Sequence, residues 1–297
     1  MDYQNALLPI PRVLAPGLWV VGNYYFNLYL VRGEQAAALI EVGVSGVVDE
    51  VIRQLNALRI APSFLVVTHP HADHITGLAG LKERFPFAFV VAGEGGEDFL
   101  SHPKARDAIV REDRHMSEFL ASVGYPPERP PVEAPPSLAH CMLARDGDEM
   151  DLGGITLRFL SVAGHSPGKI VVHLPELSAL ILSDSLGFRY PGRGFFPLFL
   201  TSYKEYLQTI SRLETLEPKI VGVAHQGPLG RDEIAQAFTD ARETAEKLQK
   251  RLDSDRRPPQ EIIEDLFKEF YRDELTMYTP ENIRNCAQLI LKRAKAR

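Results

Sequence analysis

Cysteine is scarce in this sequence, with two among 297 residues. Two thiols are too few for the disulfide framework that holds small secreted domains together. Cys141 and Cys286 also lack the CxxC spacing of a thiolate metal site or a redox motif. We therefore expect a cytoplasmic protein whose two thiols are reduced.

Positive charge is also limited. Lys and Arg total 33 against 39 Asp and Glu, which gives a formal net charge of −6. Proteins that bind nucleic acid usually present a clustered basic face to the phosphates. An acidic chain without such a face predicts no nucleic-acid partner.

Signals for a membrane location are weak. Residues 13–31 carry no charge and are long enough to span a bilayer. Turn signals at Pro16-Gly17 and Gly22-Asn23 interrupt this run, so we predict a hairpin and no membrane contact. The first ten residues show no signal-peptide pattern.

The chain divides into two parts by its hydrophobic patterns. Residues 1–230 hold strand-like runs that alternate with helical periodicity, which is typical of an α/β fold. Six prolines lie between Pro126 and Pro136, so this stretch is predicted to be an extended connector. Residues 231–297 show only helical stripes, and we expect them to form a helical extension that packs on the α/β body.

Histidine and aspartate cluster after four strand-like runs. HPHADH at 69–74 contributes four imidazole or carboxylate side chains within six residues, which is metal-ligand density. Three later motifs add one candidate each: GHSPG, SDS and AHQG. Such donors, with no thiolate among them, suit Zn²⁺, Mn²⁺ or Fe²⁺. The candidate ligands are His69, His71, Asp73, His74, His165, Asp184 and His225.

These four motifs, in this order and spacing, resemble those of the metallo-β-lactamase-fold hydrolases over about residues 13–230. The resemblance implies a four-layer αββα metallo-β-lactamase sandwich with its site along one edge. It also implies two divalent metal ions per chain, Zn²⁺ as the first choice and Fe²⁺ or Mn²⁺ as alternatives. By this resemblance the first metal would be held by His69, His71 and His165, the second by Asp73, His74 and His225, and Asp184 would bridge both.

The same resemblance implies a function. A hydroxide between the metals would attack a thioester or ester carbonyl of a small acyl substrate, and Asp73 would orient it as the catalytic residue. The glyoxalase II-like and quinolone-signal thioesterase branch is the most similar one. Glu41 stands where most of the superfamily has Asp, as in that branch, and helices follow the last His motif.

Three alternatives remain open at this stage. Lactonases share the motifs but commonly place a tyrosine three residues after the bridging aspartate, where this chain has Gly187. A mononuclear iron dioxygenase would load only one of the two sites. A ligand-binding regulatory protein would keep the fold and the metals without turnover. The oligomeric state is also open, with a homodimer as one alternative.

An aromatic segment follows Asp184. Residues 187–200 form either a strap that packs the C-terminal helices onto the body or a lid over an apolar acyl pocket. In the second case Arg189 or Arg193 would meet an anionic group of the substrate. The candidate pocket residues are Phe188, Tyr190, Phe195 and Phe196.

Overall fold

The first sheet is built mostly from the N-terminal half. The computed structural model describes residues 10–296. Seven strands pair in chain order. The first four pair antiparallel with one another, and the fourth to the seventh pair parallel with one another. They are β1 (Arg12–Ala15), β2 (Leu18–Gly22), β3 (Asn27–Arg32), β4 (Ala37–Ile40), β5 (Phe64–Val67), β6 (Phe89–Gly93) and β7 (Met142–Ala144).

The predicted hairpin in residues 13–31 is confirmed. Strands β2 and β3 pair antiparallel, and the turn between them begins at Gly22, whose φ is +94°. A Cβ at Gly22 would lie 2.3 Å from the carbonyl oxygen of Phe26, so only glycine fits this tight turn.

The second sheet comes from the C-terminal half of the body. It has the strand order β14-β11-β10-β9-β8, and β12 pairs with β13 in a separate hairpin. The strands are β8 (Glu149–Asp151), β9 (Thr156–Ser161), β10 (Ile170–Leu174), β11 (Ala179–Ile181), β12 (Phe188–Tyr190), β13 (Gly194–Phe196) and β14 (Ile220–Gly222).

Central strands of both sheets are buried on both faces. In β3, Tyr29 and Val31 belong to a core formed between the two sheets, while Leu28 and Leu30 belong to the core under the helices. In β10, Val172 belongs to the core between the sheets and Val171 to the core under the helices. Because successive side chains of a strand point to opposite faces, this alternation creates four layers. The predicted αββα sandwich is confirmed.

Nine helices cover the sheets or follow them within residues 10–296. They are α1 (Val48–Leu58), α2 (Ala72–Ile75), α3 (Leu78–Arg84), α4 (Gly96–Ser101), α5 (Pro103–Ser122), α6 (Tyr203–Glu214), α7 (Ile234–Ser254), α8 (Pro259–Phe270) and α9 (Pro280–Lys295). No helix in this part of the chain is long and apolar enough to cross a membrane.

The C-terminal helices share the core of the body. Phe238 of α7 and Ile290 of α9 are buried in the same cluster as Leu180 of β11. Helix α7 packs on α6 and β13, and α9 packs on α7 and α8. Helix α9 begins directly after Thr279, whose hydroxyl caps it by accepting a hydrogen bond from the Asn282 amide.

The proline-rich connector has no helix or strand between residues 123 and 141. It lies against α1 and α5: Arg129 forms two hydrogen bonds with the Asp49 carboxylate, and the Val132 amide donates to Asp113. These contacts fix the segment that joins the two halves of the sandwich.

Candidate metal centre

The seven candidate ligands converge at one edge of the sandwich. Strand β5 leads to His69 and to α2, which carries Asp73 and His74. The loops after β9, β11 and β14 carry one ligand each: His165, Asp184 and His225. Six of the seven side chains are buried and His71 is half-buried. Four chain segments that are distant in sequence therefore meet at a single point.

Three imidazoles form what we call the first ligand group. The Nε2 atom of His69 lies 3.1 Å from Nδ1 of His71 and 3.2 Å from Nε2 of His165. The three candidate donor atoms all lie within 4.8 Å of one another. This spacing suits donors that bind one cation.

Asp73, His74, Asp184 and His225 form the second ligand group, again with all donor atoms within 4.8 Å. Nε2 of His74 lies 2.9 Å from Oδ2 of Asp73 and 3.0 Å from Oδ2 of Asp184. Nε2 of His225 lies 3.3 Å from Oδ2 of Asp73. The same Asp184 oxygen lies 3.7 Å from Nε2 of His69, so this carboxylate stands between the two groups.

Outer contacts orient the rings for metal binding. Nδ1 of His165 lies 3.1 Å from the Leu198 carbonyl, and Nδ1 of His225 lies 2.6 Å from the Tyr25 carbonyl. In the neutral ring, an Nδ1–H that donates to a carbonyl leaves the lone pair on Nε2, which points into the ligand group. These residues therefore fit divalent cations.

Glu41 provides the same support to the second group. Its carboxylate lies 2.9 Å from Nδ1 of His74 and accepts a hydrogen bond from the Thr68 hydroxyl. Glu41 adopts a φ of +72°, which is unfavourable for a residue other than glycine. Such strain persists only where surrounding contacts hold it, and here it directs the carboxylate beneath His74.

Electrostatics differ between the two groups. Burial lowers the pKa of His69 and His165 well below the usual value and that of His71 to about 4, so these rings are neutral. Burial opposes protonation of His74 as well, but the carboxylates of Asp73, Glu41 and Asp184 outweigh it and raise the pKa of His74.

One buried ammonium group lies beneath the first group. Nζ of Lys169 is 3.4 Å from Nδ1 of His69, and the residue is 2% exposed. Burial lowers the pKa of Lys169, while the carboxylates of Asp184 and Glu41 oppose the shift. Lys169 is therefore the basic side chain in contact with the first ligand group.

Comparison with known proteins agrees with this geometry. The family model described as the metallo-beta-lactamase superfamily matches residues 25–225, which is more than half of the chain. The chain belongs to the metallo-beta-lactamase superfamily. The relatives described next share 30% identity or less with it.

Three relatives illustrate this distance. A metallo-beta-lactamase fold-containing protein of Sulfurisphaera tokodaii is 26% identical over 203 residues, or 68% of this chain and 72% of that protein. A hydroxyacylglutathione hydrolase of Ruegeria pomeroyi is 30% identical over 120 residues, or 40% of this chain and 32% of the hydrolase. The chain thus matches about a third of that enzyme's length.

The third relative is a solved structure, a metallo-beta-lactamase family protein of Thermus thermophilus. It superposes with a TM-score of 0.62 at 22% identity and covers 91% of this chain and 93% of its own. At that identity the likeness shows the fold alone.

A cavity of 890 Å³ opens in front of the two ligand groups. Ligand residues of both groups form its inner end, including His71, His165 and Asp184. Its walls are mainly apolar and come from α4, α5, the β12–β13 hairpin and α9; they include Phe99, Ile109, Phe188, Phe196, Leu275 and Ile283. His102, Lys104 and Arg293 are the basic residues of the lining apart from the metal ligands.

The aromatic segment contributes only part of this lining. Of the four candidate pocket residues, Phe188 and Phe196 line this cavity, whereas Tyr190 and Phe195 lie outside its lining. Phe195 lies on the opposite face of the hairpin from Phe196, since side chains alternate along a strand. The Tyr190 hydroxyl instead donates to the carbonyl of Phe270 at the end of α8.

The two arginines of the segment also have partners within the chain. Arg193 pairs with Asp273 at 2.7 Å, and Arg189 lies 3.5 Å from Glu233. Their charges therefore face carboxylates of the C-terminal extension, whereas Arg293 of α9 lines the cavity.

Tyr278 lies against the second ligand group, although no motif in the sequence marks it. Its hydroxyl donates to Oδ2 of Asp73 at 2.6 Å and lies 3.2 Å from Nε2 of His225. Burial and the carboxylates of Asp73 and Asp184 raise the pKa of Tyr278, which keeps the phenol protonated. The single local signal is its position directly before the helix start at Thr279-Pro280.

Proposed function

We propose that this protein is a dinuclear metal-dependent hydrolase that cleaves a thioester or ester of a small, partly apolar acyl substrate. The observation that carries the proposal is the pair of ligand groups sharing Asp184 at the inner end of an apolar cavity. Membership in a superfamily with metal-dependent hydrolases supports it.

The chain's own residues provide the binding and proton-transfer groups. The first ligand group would hold one divalent cation and the second group another, with Zn²⁺ as the first choice. Such cations lower the pKa of water and polarise a carbonyl oxygen. Asp73 is the candidate acid–base residue, because its carboxylate belongs to the second group and also lines the cavity where a substrate would lie.

The cavity supports an acyl substrate. Its apolar walls would remove water from an alkyl or aryl chain whose carbonyl reaches the ligand groups. The lining carries both charges: Asp98 and Glu112 are acidic, and Lys104 and Arg293 are the side chains that would meet an anionic group on the acyl chain or on the leaving thiol. Similarity to a hydroxyacylglutathione hydrolase supports the thioesterase class, in which a thioester and water give an acid and a thiol.

A substrate panel tests this proposal. The protein is reconstituted with Zn²⁺, Mn²⁺ or Fe²⁺ and assayed on acyl-CoA and acyl-glutathione thioesters, an aryl ester and a homoserine lactone. We expect thioester hydrolysis, and Asp73→Asn should lower kcat by roughly 10²–10⁴-fold, the usual contribution of a positioned acid–base group. Asp240→Asn removes a half-buried carboxylate on α7 that is outside the cavity lining, and it serves as the matched control.

Each contrary outcome points to a different function. Turnover of the lactone alone would indicate a lactonase. Absence of any turnover by fully loaded protein would favour a ligand-binding regulatory protein. Equal turnover by wild type and Asp73→Asn at equal metal content would reject the role given to Asp73.

A further inference from the structure

The C-terminal extension reaches the second ligand group through Tyr278. The phenol hydroxyl lies 2.6 Å from Oδ2 of Asp73, and the two residues are 205 positions apart in the chain. Tyr278 also lines the cavity, so it stands at the boundary between the ligand groups and the space for a substrate. A protonated phenol at this distance donates a strong, charge-assisted hydrogen bond to a carboxylate.

The backbone on both sides of Tyr278 is fixed. The amide of the next residue, Thr279, donates to Glu112 of α5 at 3.0 Å, and the Thr279 hydroxyl donates to the same carboxylate. The Tyr278 carbonyl accepts a hydrogen bond from the Tyr271 hydroxyl at 3.2 Å. Glu112 is buried, so its position is set by the packing of α5.

Helix α5 also holds the other partner of this contact. Asp113, which follows Glu112, accepts hydrogen bonds from the hydroxyls of Ser45 and Thr76. Thr76 comes directly after α2, the short helix that carries Asp73. Two adjacent carboxylates of α5 therefore hold the segment with Asp73 and the segment with Tyr278 in register.

We propose that Tyr278 is the positioning residue for Asp73. Its hydroxyl fixes the rotation of the Asp73 carboxylate, so that Oδ2 faces the second ligand group, and Glu112 holds Tyr278 in place through Thr279. The C-terminal extension thereby sets the metal affinity of the second group and leaves the first group unchanged. This inference rests on the proposed function, because it requires a metal in the second group.

Stepwise metal binding tests the inference without reference to activity. Metal-free wild type and Tyr278→Phe are titrated with Zn²⁺ against a chelator of known affinity, which gives two dissociation constants per protein. We expect Tyr278→Phe to weaken one binding step by roughly 10- to 100-fold, the usual cost of losing an outer hydrogen-bond partner, and to leave the other unchanged. Glu112→Gln should weaken the same step by a smaller factor.

Tyr24→Phe is the matched control. Tyr24 is buried, and its hydroxyl also joins the body to the C-terminal extension, by donating to Glu274 at 3.0 Å. Its loss should leave both binding steps unchanged. Thermal unfolding of the metal-free variants verifies that all of them are folded. In the loaded enzymes, Tyr278→Phe should lower kcat more than it changes KM.

The outcomes separate the inference from the proposed function. Two binding steps in wild type that are both unaltered in Tyr278→Phe would overturn the inference and leave the dinuclear proposal intact. Equal weakening of both steps would also overturn it, because the effect would then be general. A single binding step in wild type would overturn the dinuclear proposal and this inference with it.

Discussion

The two ligand groups lie side by side and share Asp184, yet they differ in chemistry. The first consists of three imidazoles whose pKa values are lowered by burial. The second combines two carboxylates with His74 and His225. Those carboxylates raise the pKa of both histidines, although burial acts in the opposite direction. The first group is therefore free of protons before a cation arrives, whereas the second must exchange protons for its cation.

The two groups also differ in what supports them. In the first, the Leu198 carbonyl, 33 positions away, orients His165. The second has Glu41, also 33 positions from His74, and it relies further on two groups 200 and 205 positions away, the Tyr25 carbonyl and the Tyr278 hydroxyl. We therefore expect the second group to be the more easily disturbed of the two.

The largest effect should come from Asp184→Asn, because this carboxylate lies between both groups. We expect weaker binding of both metals, by more than the roughly 10- to 100-fold that loss of an outer partner costs. Metal analysis after gel filtration provides the measurement. As matched single losses, His165→Ala and His225→Ala should each remove one metal. A variant Asp184→Asn that retains two tightly bound metals would show that the groups are independent.

A change in pH should have a smaller effect on metal binding, and this effect should be confined to the second group. At neutral pH the raised pKa of His74 keeps a proton on the metal-free second group, and the metal must displace it. The affinity of the second group for its cation should therefore rise with pH, by about tenfold per pH unit if one proton is displaced. The first group has no proton to lose above the pKa of about 4 of His71, so its affinity should be nearly constant there.

Dialysis from about pH 8 to about pH 6 in the presence of a weak chelator, across the range where imidazoles usually titrate, should thus remove one metal and leave the other. The metal content of each fraction is the readout. Equal pH dependence of the two binding steps would contradict the electrostatic difference between the groups.

The smallest effect should come from Lys169→Met. Its Nζ atom is 3.4 Å from Nδ1 of His69, so removing its charge should tighten metal binding in the first group by roughly fivefold, or about 1 kcal/mol, the strength of a well-screened charge pair. Burial lowers the pKa of this lysine and so limits the effect. Lys204→Met, an exposed change on α6, is the control. Unchanged or weaker binding would mean that Lys169 acts mainly through packing.

The sequence could predict those parts of the centre that are encoded locally. HPHADH follows a buried strand, and its short-range spacing is visible without a structure. His165, Asp184 and His225 each follow a strand in the same way, so their convergence could be inferred from the resemblance. The N-cap at Thr279 was predictable because a hydroxyl followed by proline is a local signal.

Features that depend on tertiary contacts could not be predicted. The proximity of Tyr278 to Asp73 arises from the docking of the C-terminal extension on α5, which no local pattern encodes. Tyr190 and Phe195 belong to an aromatic run that is uniform in composition. Strand alternation places Phe195 on the face opposite Phe196, whereas Tyr190 lies on the same face as Phe188 and hydrogen-bonds to the Phe270 carbonyl outside the cavity lining. Composition identified the segment and the fold determined which rings face the cavity.

The separation of the ligands along the chain has a consequence for unfolding. His69 and His165, whose nitrogens lie 3.2 Å apart, are separated by 96 positions, and His74 and Asp184 by 110. A cation bound to either pair would act as a cross-link that closes a long loop, in a chain whose two cysteines are free. Since a cation that binds only the folded chain shifts the folding equilibrium by mass action, resistance to denaturation would depend on the free metal concentration.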